Sequence, residues 1–191
     1  MAKTNLLEVK RFGKGKERVT VAVLPGHEFE AKHFDPANLE LTYKLSRRVH
    51  SFKSRILPNE SFICKTWRPS SAISLRAVNE AKLARFANQV AKANGFHDIT
   101  VEEPLAVHYN SNASPHVFYR SIPDASIETS AMPYQQQLDR VRHFVEKLHE
   151  IGIVPRDRQF FWADKRIHIY DVECWQPSAE LRKLLKLRRE K

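Results

Sequence analysis

Glycine is scarce in this chain, with five residues in 191. Backbones that wrap nucleotide phosphates closely rely on glycines at fixed spacing, and the dinucleotide-binding spacing is absent. Cysteine is scarcer still: only Cys64 and Cys174 occur. They form no metal-type pair and no disulfide framework, and the expectation is two buried thiols in a reducing compartment. No run of eighteen apolar residues occurs, which leaves no candidate transmembrane helix. The N-terminus, MAKTNLLEVKRFGKGKE, has no apolar core of a secretory signal. A cytoplasmic location is therefore expected. Neither an internal repeat nor a low-complexity segment is visible.

Positive charge is abundant. Thirty-two Lys and Arg against 22 Asp and Glu give a formal net charge of +10. A field of that strength favours polyanionic partners such as nucleic acid, nucleotides, phospholipid headgroups or acidic proteins, without choosing among them. The 42% hydrophobic content suffices for a core, and the length fits one domain or one with a small extension.

Taken in order, residues 1–38 read as an N-terminal β extension. Strands are expected at Val19–Leu24 and His27–Phe34 around the Pro25-Gly26 turn. Gly13-Lys14-Gly15 and Lys32 superficially mimic a glycine-rich loop and lysine strand, but Arg18 stands where a third glycine would. Three strands follow at Leu39–Leu45, Val49–Ile56 and Ser61–Trp67. The loop at Arg47-Arg48 has no glycine, and Arg47, Arg48 or Lys53 could meet phosphate by charge, or simply be solvated.

The longest helical pattern spans Ser71–Asn94, ending at Gly95. It places Leu83, Phe86, Ala87, Val90 and Ala91 on one face, and Glu80 falls on that apolar side. A carboxylate there is costly unless paired. Lys65, fifteen residues earlier in the preceding strand, is the natural partner. A helix-edge position or a local pair with Arg76 would also satisfy it. Strands are expected at Val101–Tyr109 and His116–Ser121, then a linker, then an amphipathic helix at Tyr134–Glu150. Residues 178–191 suggest a basic helix with a stripe of Leu181, Leu184, Leu185 and Leu187, docking its leucines and turning its cations toward a polyanion.

Leu148–Trp175, LHEIGIVPRDRQFFWADKRIHIYDVECW, is the most informative stretch. Gly152 stops a helix. A charged loop carries Asp157, two short strand patterns follow at Phe160–Trp162 and Ile167–Tyr170, and Asp171 comes directly after. This succession resembles the catalytic core of the protein-kinase-like superfamily, with LHEIGIVPRDR similar to LHxxGIVHRDL and Pro155 in the His position. The resemblance covers residues 39–175, mostly as an order of elements. It departs from the family in the lost His, in Gln159 where the metal-binding Asn is expected (a loop about three residues short), and in Asp171-Val172-Glu173, which keeps only the acid of DFG.

The resemblance implies an α+β, truncated protein-kinase-like fold: an N-lobe-like antiparallel sheet with one long helix over residues 39–125, and a minimal C-lobe with a basic C-terminal helix over 126–191. Truncation is expected because the sixteen residues after Trp175 leave no room for an activation segment and substrate-binding helices. It implies ATP and Mg²⁺ as cofactors and a nucleotide as partner. Lys65 would contact the phosphates and Glu80 would hold Lys65. Asp157 would orient the acceptor, and Asp171 with Gln159 would hold the metal. Residues 122–125 would be the adenine-binding hinge. Two other readings stand beside the phosphotransferase: a catalytically inactive pseudokinase serving as a binding or regulatory module, and a basic nucleic-acid-binding protein using its arginine-rich strands and aromatics such as Tyr43 and Phe52.

Overall fold

A computed structural model describes residues 8–15, 18–67, 73–110, 113–121, 132–156, 159–163, 165–170 and 172–187. The chain is α+β, and it divides into two compact units. The first comprises residues 1–78 and 104–121; the second comprises 79–103 and 122–191. The division follows strand pairing rather than the boundaries expected at residues 38 and 125. The N-terminal hairpin shares a sheet with the later strands, and residues 99–101 pair with the C-terminal hairpin.

The first unit is built on a seven-stranded antiparallel sheet. Its strands are β1 (Glu8–Phe12), β2 (Val19–Val23), β3 (Leu39–Lys44), β4 (Val49–Ser54), β5 (Ser61–Thr66), β7 (Pro104–Asn110) and β8 (Ala113–Arg120), with β6 (Ile99–Val101) in the other unit. The order is β1-β2-β7-β8-β5-β4-β3, so the β7–β8 hairpin lies between two earlier groups of strands. One face carries a core of Val21, Phe34, Phe62, Cys64, Ala106 and Phe118.

Three expectations are corrected here. The N-terminal hairpin pairs Glu8–Phe12 with Val19–Val23 around Gly13-Lys14-Gly15, so that segment closes a hairpin rather than leading into one. His27–Phe34 is not a strand. The His27 ring donates from Nε2 to the Leu105 carbonyl at 2.9 Å and accepts the Phe29 amide at Nδ1, folding the chain into a 3-10 turn at Ala31–Phe34. Phe29 and Phe34 then both point into the core, which strand alternation would forbid. The strand expected over Val101–Tyr109 is two strands, β6 and β7, in different sheets.

The second unit holds most of α1 (Ile73–Ala93), together with α2 (Tyr134–Glu150) and α3 (Ala179–Leu184). Its strands are β6, β9 (Ile153–Val154), β10 (Gln159–Ala163), β11 (Arg166–Tyr170) and β12 (Gln176–Pro177). The hairpin β10–β11 is antiparallel, and β11 pairs in parallel with β6 (Ile167 with Ile99, Ile169 with Val101). The inner faces of α1 and α2 supply Leu83, Ala87, Val141, Phe144 and Leu148 to a core completed by Ile153, Ile167 and Ile169.

Ser178 caps α3, its Oγ accepting the Leu181 amide at 3.2 Å. The helix stops after six residues because Lys186 takes a left-handed conformation (φ 51°). The Leu187 amide then bonds back to the Arg182 carbonyl. This corrects the expected leucine stripe: Leu181 is buried and Leu185 packs against the core, whereas Leu184 is 69% exposed. Residues 188–191 lie outside the described residues. Cys174 is exposed rather than buried, and no disulfide joins it to Cys64.

Gly152 ends α2 at φ 83°, and a Cβ there would stand 2.8 Å from Ser178 Oγ. Gly152→Ala therefore combines left-handed strain of about 1–2 kcal/mol with displacement of the α3 cap, worth about 1 kcal/mol. The expected loss is roughly 2–3 kcal/mol, read as a lowered urea midpoint. A variant as stable as the parent would show that Ser178 moves aside without cost.

Candidate functional site

Lys65 lies mid-strand in β5, opposite Val49 of β4 and Val117 of β8. Phe62 and Cys64 fill the core on one face of that strand. Ser61, Ile63 and Lys65 therefore occupy the other, with Lys65 half-buried. Glu80 is 3% exposed on α1, among Ala77, Ala81, Leu83 and Ala84. Its place on the apolar side agrees with the helical spacing. Lys65 belongs to the first unit and Glu80 to the second. Gln159 is the exposed first residue of β10 and pairs with Tyr170, the last of β11. Asp157, Asp171 and residues 122–125 lie outside the described residues. Arg47, Arg48 and Lys53 are exposed on the β3–β4 hairpin.

The second unit contains a buried polar cluster that sequence reasoning missed. His168, 7% exposed in β11, directs Nδ1 at Glu102 Oε1 (2.8 Å) and Nε2 at the Ala163 carbonyl (3.1 Å). Both ring nitrogens thus face oxygen atoms, one of a side chain and one of the backbone. The Glu102 amide donates to the Ile169 carbonyl at 2.9 Å, tying the end of β6 to β11. Burial, then the Glu102 charge, pushes the Tyr170 phenol above its ordinary range. The only sequence signal was a histidine between two isoleucines, which reads as plain strand.

The free edge of β6 is closed by a side chain. Asn88 on α1 accepts the Val101 amide at Oδ1 and donates from Nδ2 to the Val101 carbonyl, both at 2.8 Å, as a neighbouring strand would. Arg140 on α2 forks onto Asp98 and stacks on Phe96 at 4.7 Å. Burial pushes the Asp98 carboxyl up, but the Arg140 bonds, the residue's own backbone amide and nearby positive charge outweigh it, and the net shift is downward. Glu103 goes the other way. Its greater burial raises it despite the 2.5 Å bond from Arg85.

In the first unit, His50, Cys64, Thr66, His108 and His116 stand on neighbouring strands. His116 Nδ1 is 3.3 Å from Thr66 Oγ1 and 3.5 Å from Cys64 Sγ. Burial pushes the Cys64 thiol up to about 12, so it stays a thiol and acts as a weak donor. The His108 ring, 4.4 Å from that of Phe118, is pushed down to about 4 by burial. Among the described residues no group of three or more His, Cys, Asp or Glu is arranged to hold a metal ion.

No protein-family model matches this chain, and no curated protein matches its sequence.

Proposed function

We propose that the chain is a kinase-like, ATP- and Mg²⁺-dependent phosphotransferase with an acceptor still to be identified. The observation that carries the reading is the register of the hairpin β10–β11. Gln159 pairs with Tyr170, and the chain runs two residues back from that pair to Asp157 and one forward to Asp171. Phosphoryl transfer uses one carboxylate to orient the acceptor hydroxyl and another to hold the metal. Further support comes from the order of elements upstream: a central strand carrying Lys65, a helix carrying the buried carboxylate of Glu80, an antiparallel pair β7–β8, and α2 leading into β9. In this reading Lys65 contacts the phosphates and Glu80 fixes Lys65. Asp157 orients the acceptor, and Asp171 with Gln159 coordinates Mg²⁺.

A non-catalytic binding module is the second reading. The glycine-free connection between β3 and β4, Leu45-Ser46-Arg47-Arg48, favours it. Thermal unfolding with millimolar ATP and Mg²⁺ tests nucleotide binding. Ligand at about 100 times its Kd adds about 2.7 kcal/mol, so the melting temperature rises, and Asp171→Ala removes the Mg²⁺-dependent part. No shift in the parent protein overturns the phosphotransferase reading and favours the non-catalytic module. A shift without ADP release in the presence of candidate acceptors assigns the module.

A further inference from the structure

We infer that the outer edge of β3 is a docking site for an extended acidic polypeptide, which adds as an eighth strand to the sheet of the first unit. Among the described residues the sheet ends at β3, whose only strand partner is β4. Its outward backbone N–H and C=O groups therefore have no strand beside them. Sheet edges are usually blunted by proline, shortness, a covering segment, charged side chains or a bulge; β3 has charges and a bulge, but among the described residues none of the first three. Here the edge strand has six residues and no proline, and every residue from Leu41 to Arg48 is exposed. Three of them are large and apolar: Leu41 is 46% exposed, Tyr43 70% and Leu45 61%.

The pairing with β4 is irregular between Leu41 and Tyr43. Leu41 stands opposite Phe52 and Tyr43 opposite Ser51, so the two apolar side chains fall on opposite faces of the edge. An added strand, whose side chains alternate, meets Leu41 on one face and Tyr43 on the other.

Charge selects the occupant. Residues 39–55 carry Lys44, Arg47, Arg48, Lys53 and Arg55 against the single carboxylate of Glu40. Among the described residues none of these five cations is in an ion pair. The same excess repels a second copy of the chain. Single-stranded nucleic acid needs successive aromatic platforms, and Tyr43 is the one aromatic among the three exposed apolar residues, while a free backbone edge serves a polypeptide. The fitting partner carries Asp or Glu and Val or Leu on both of its faces, as a repeat of two acidic and two apolar residues does.

The test uses the full chain and a fluorescein-labelled ten-residue peptide repeating Glu-Glu-Val-Val, which places both residue types on each face, followed by anisotropy. The peptide binds, and its Kd rises tenfold or more for Arg47→Glu/Arg48→Glu and for Leu41→Lys, exposed positions at which the melting temperature stays unchanged. N-methylating alternate peptide amides weakens binding to the same degree, since it removes the strand hydrogen bonds while keeping the charge. Amide exchange along Leu39–Lys44 slows in the complex. The proposal is overturned by any of four results: no binding at millimolar peptide, full affinity of the N-methylated peptide, tighter binding of an oligothymidylate than of the peptide, or sedimentation as a dimer that Leu41→Lys dissociates. None of these bears on the ATP shift, so this proposal and the phosphotransferase reading stand or fall separately.

Discussion

Truncating Phe144 to alanine lowers the unfolding free energy of the second unit by about 3–5 kcal/mol. The ring is fully buried and packs edge-on against Phe96 with centroids 5.6 Å apart. Around it lie Val141, Val145 and Leu148 of α2 and the isoleucines of β9 and β11. The cost combines the lost transfer of the ring from water with the cavity left among side chains anchored on three different elements, which cannot all collapse inward. Domains of this kind have about 5–15 kcal/mol in total, so the loss is a large share of what holds α2 to the hairpin. Urea titration measures it, followed by tryptophan fluorescence in the Trp67→Phe/Trp162→Phe background so that the signal is that of Trp175, 4% exposed. Glu146→Ala, on the exposed face of the same helix, serves as the control and stays within about 0.5 kcal/mol of the parent. A Phe144→Ala loss below about 1 kcal/mol would mean that the inner face of α2 is not the packed core described.

Acid begins to destabilise the first unit at about pH 6.5, before the carboxylates titrate. His108 is 7% exposed, and burial lowers its folded pKa from 6.5 to about 4; bonding to the Phe34 backbone opposes the shift, and the neighbouring His116 adds to it. Above pH 6.5 the ring is neutral in both states and its contribution to stability is complete. Between 6.5 and 4 the unfolded chain takes up a proton that the folded chain refuses, so stability falls; below 4 the loss levels off. The difference is worth about 3 kcal/mol. His116, also lowered by burial and then by His50, acts in the same direction below 6.5. Urea midpoints measured from pH 8 to 4 for the parent and for His108→Gln give the answer: the variant loses most of the decline. Parallel curves would place the acid sensitivity elsewhere.

The comparison of sequence with structure is clearest at α2. The helix was expected at Tyr134–Glu150 and is observed there, because the apolar spacing, the preceding Pro133 and the terminal Gly152 all agree. The β3, β4 and β5 strands and the β10–β11 hairpin were also legible, from β-branched and aromatic runs separated by turn residues. What misled was alternation without context. His27–Phe34 alternates like a strand, yet a histidine ring bonded to a carbonyl 78 residues away folds it into a turn. Val101 was joined to β7 because nothing local shows that Ile99–Val101 has its partner at Ile167–Ile169. The burial of Glu80 was legible because a carboxylate on an apolar helix face stands out against its surroundings. His168 and Glu102 were not, because each is unremarkable alone and their pairing is a property of a parallel register.

The division of the chain between two units has a consequence for how it is made. On emerging from the ribosome, β1–β2 and β3–β4–β5 are separate groups of strands until β7–β8 arrives to join them. For β6 the wait is longer: Ile99 pairs with Ile167, 68 residues later. At synthesis rates of about 5–20 residues per second that interval lasts roughly 3–14 seconds. Throughout it the apolar run Ile99–Val101 has no strand beside it, apart from the side-chain bonds that Asn88 of the already completed α1 can offer. Asn88 thus stands where a provisional partner is needed, its side chain bonding the Val101 amide and carbonyl as a neighbouring strand would.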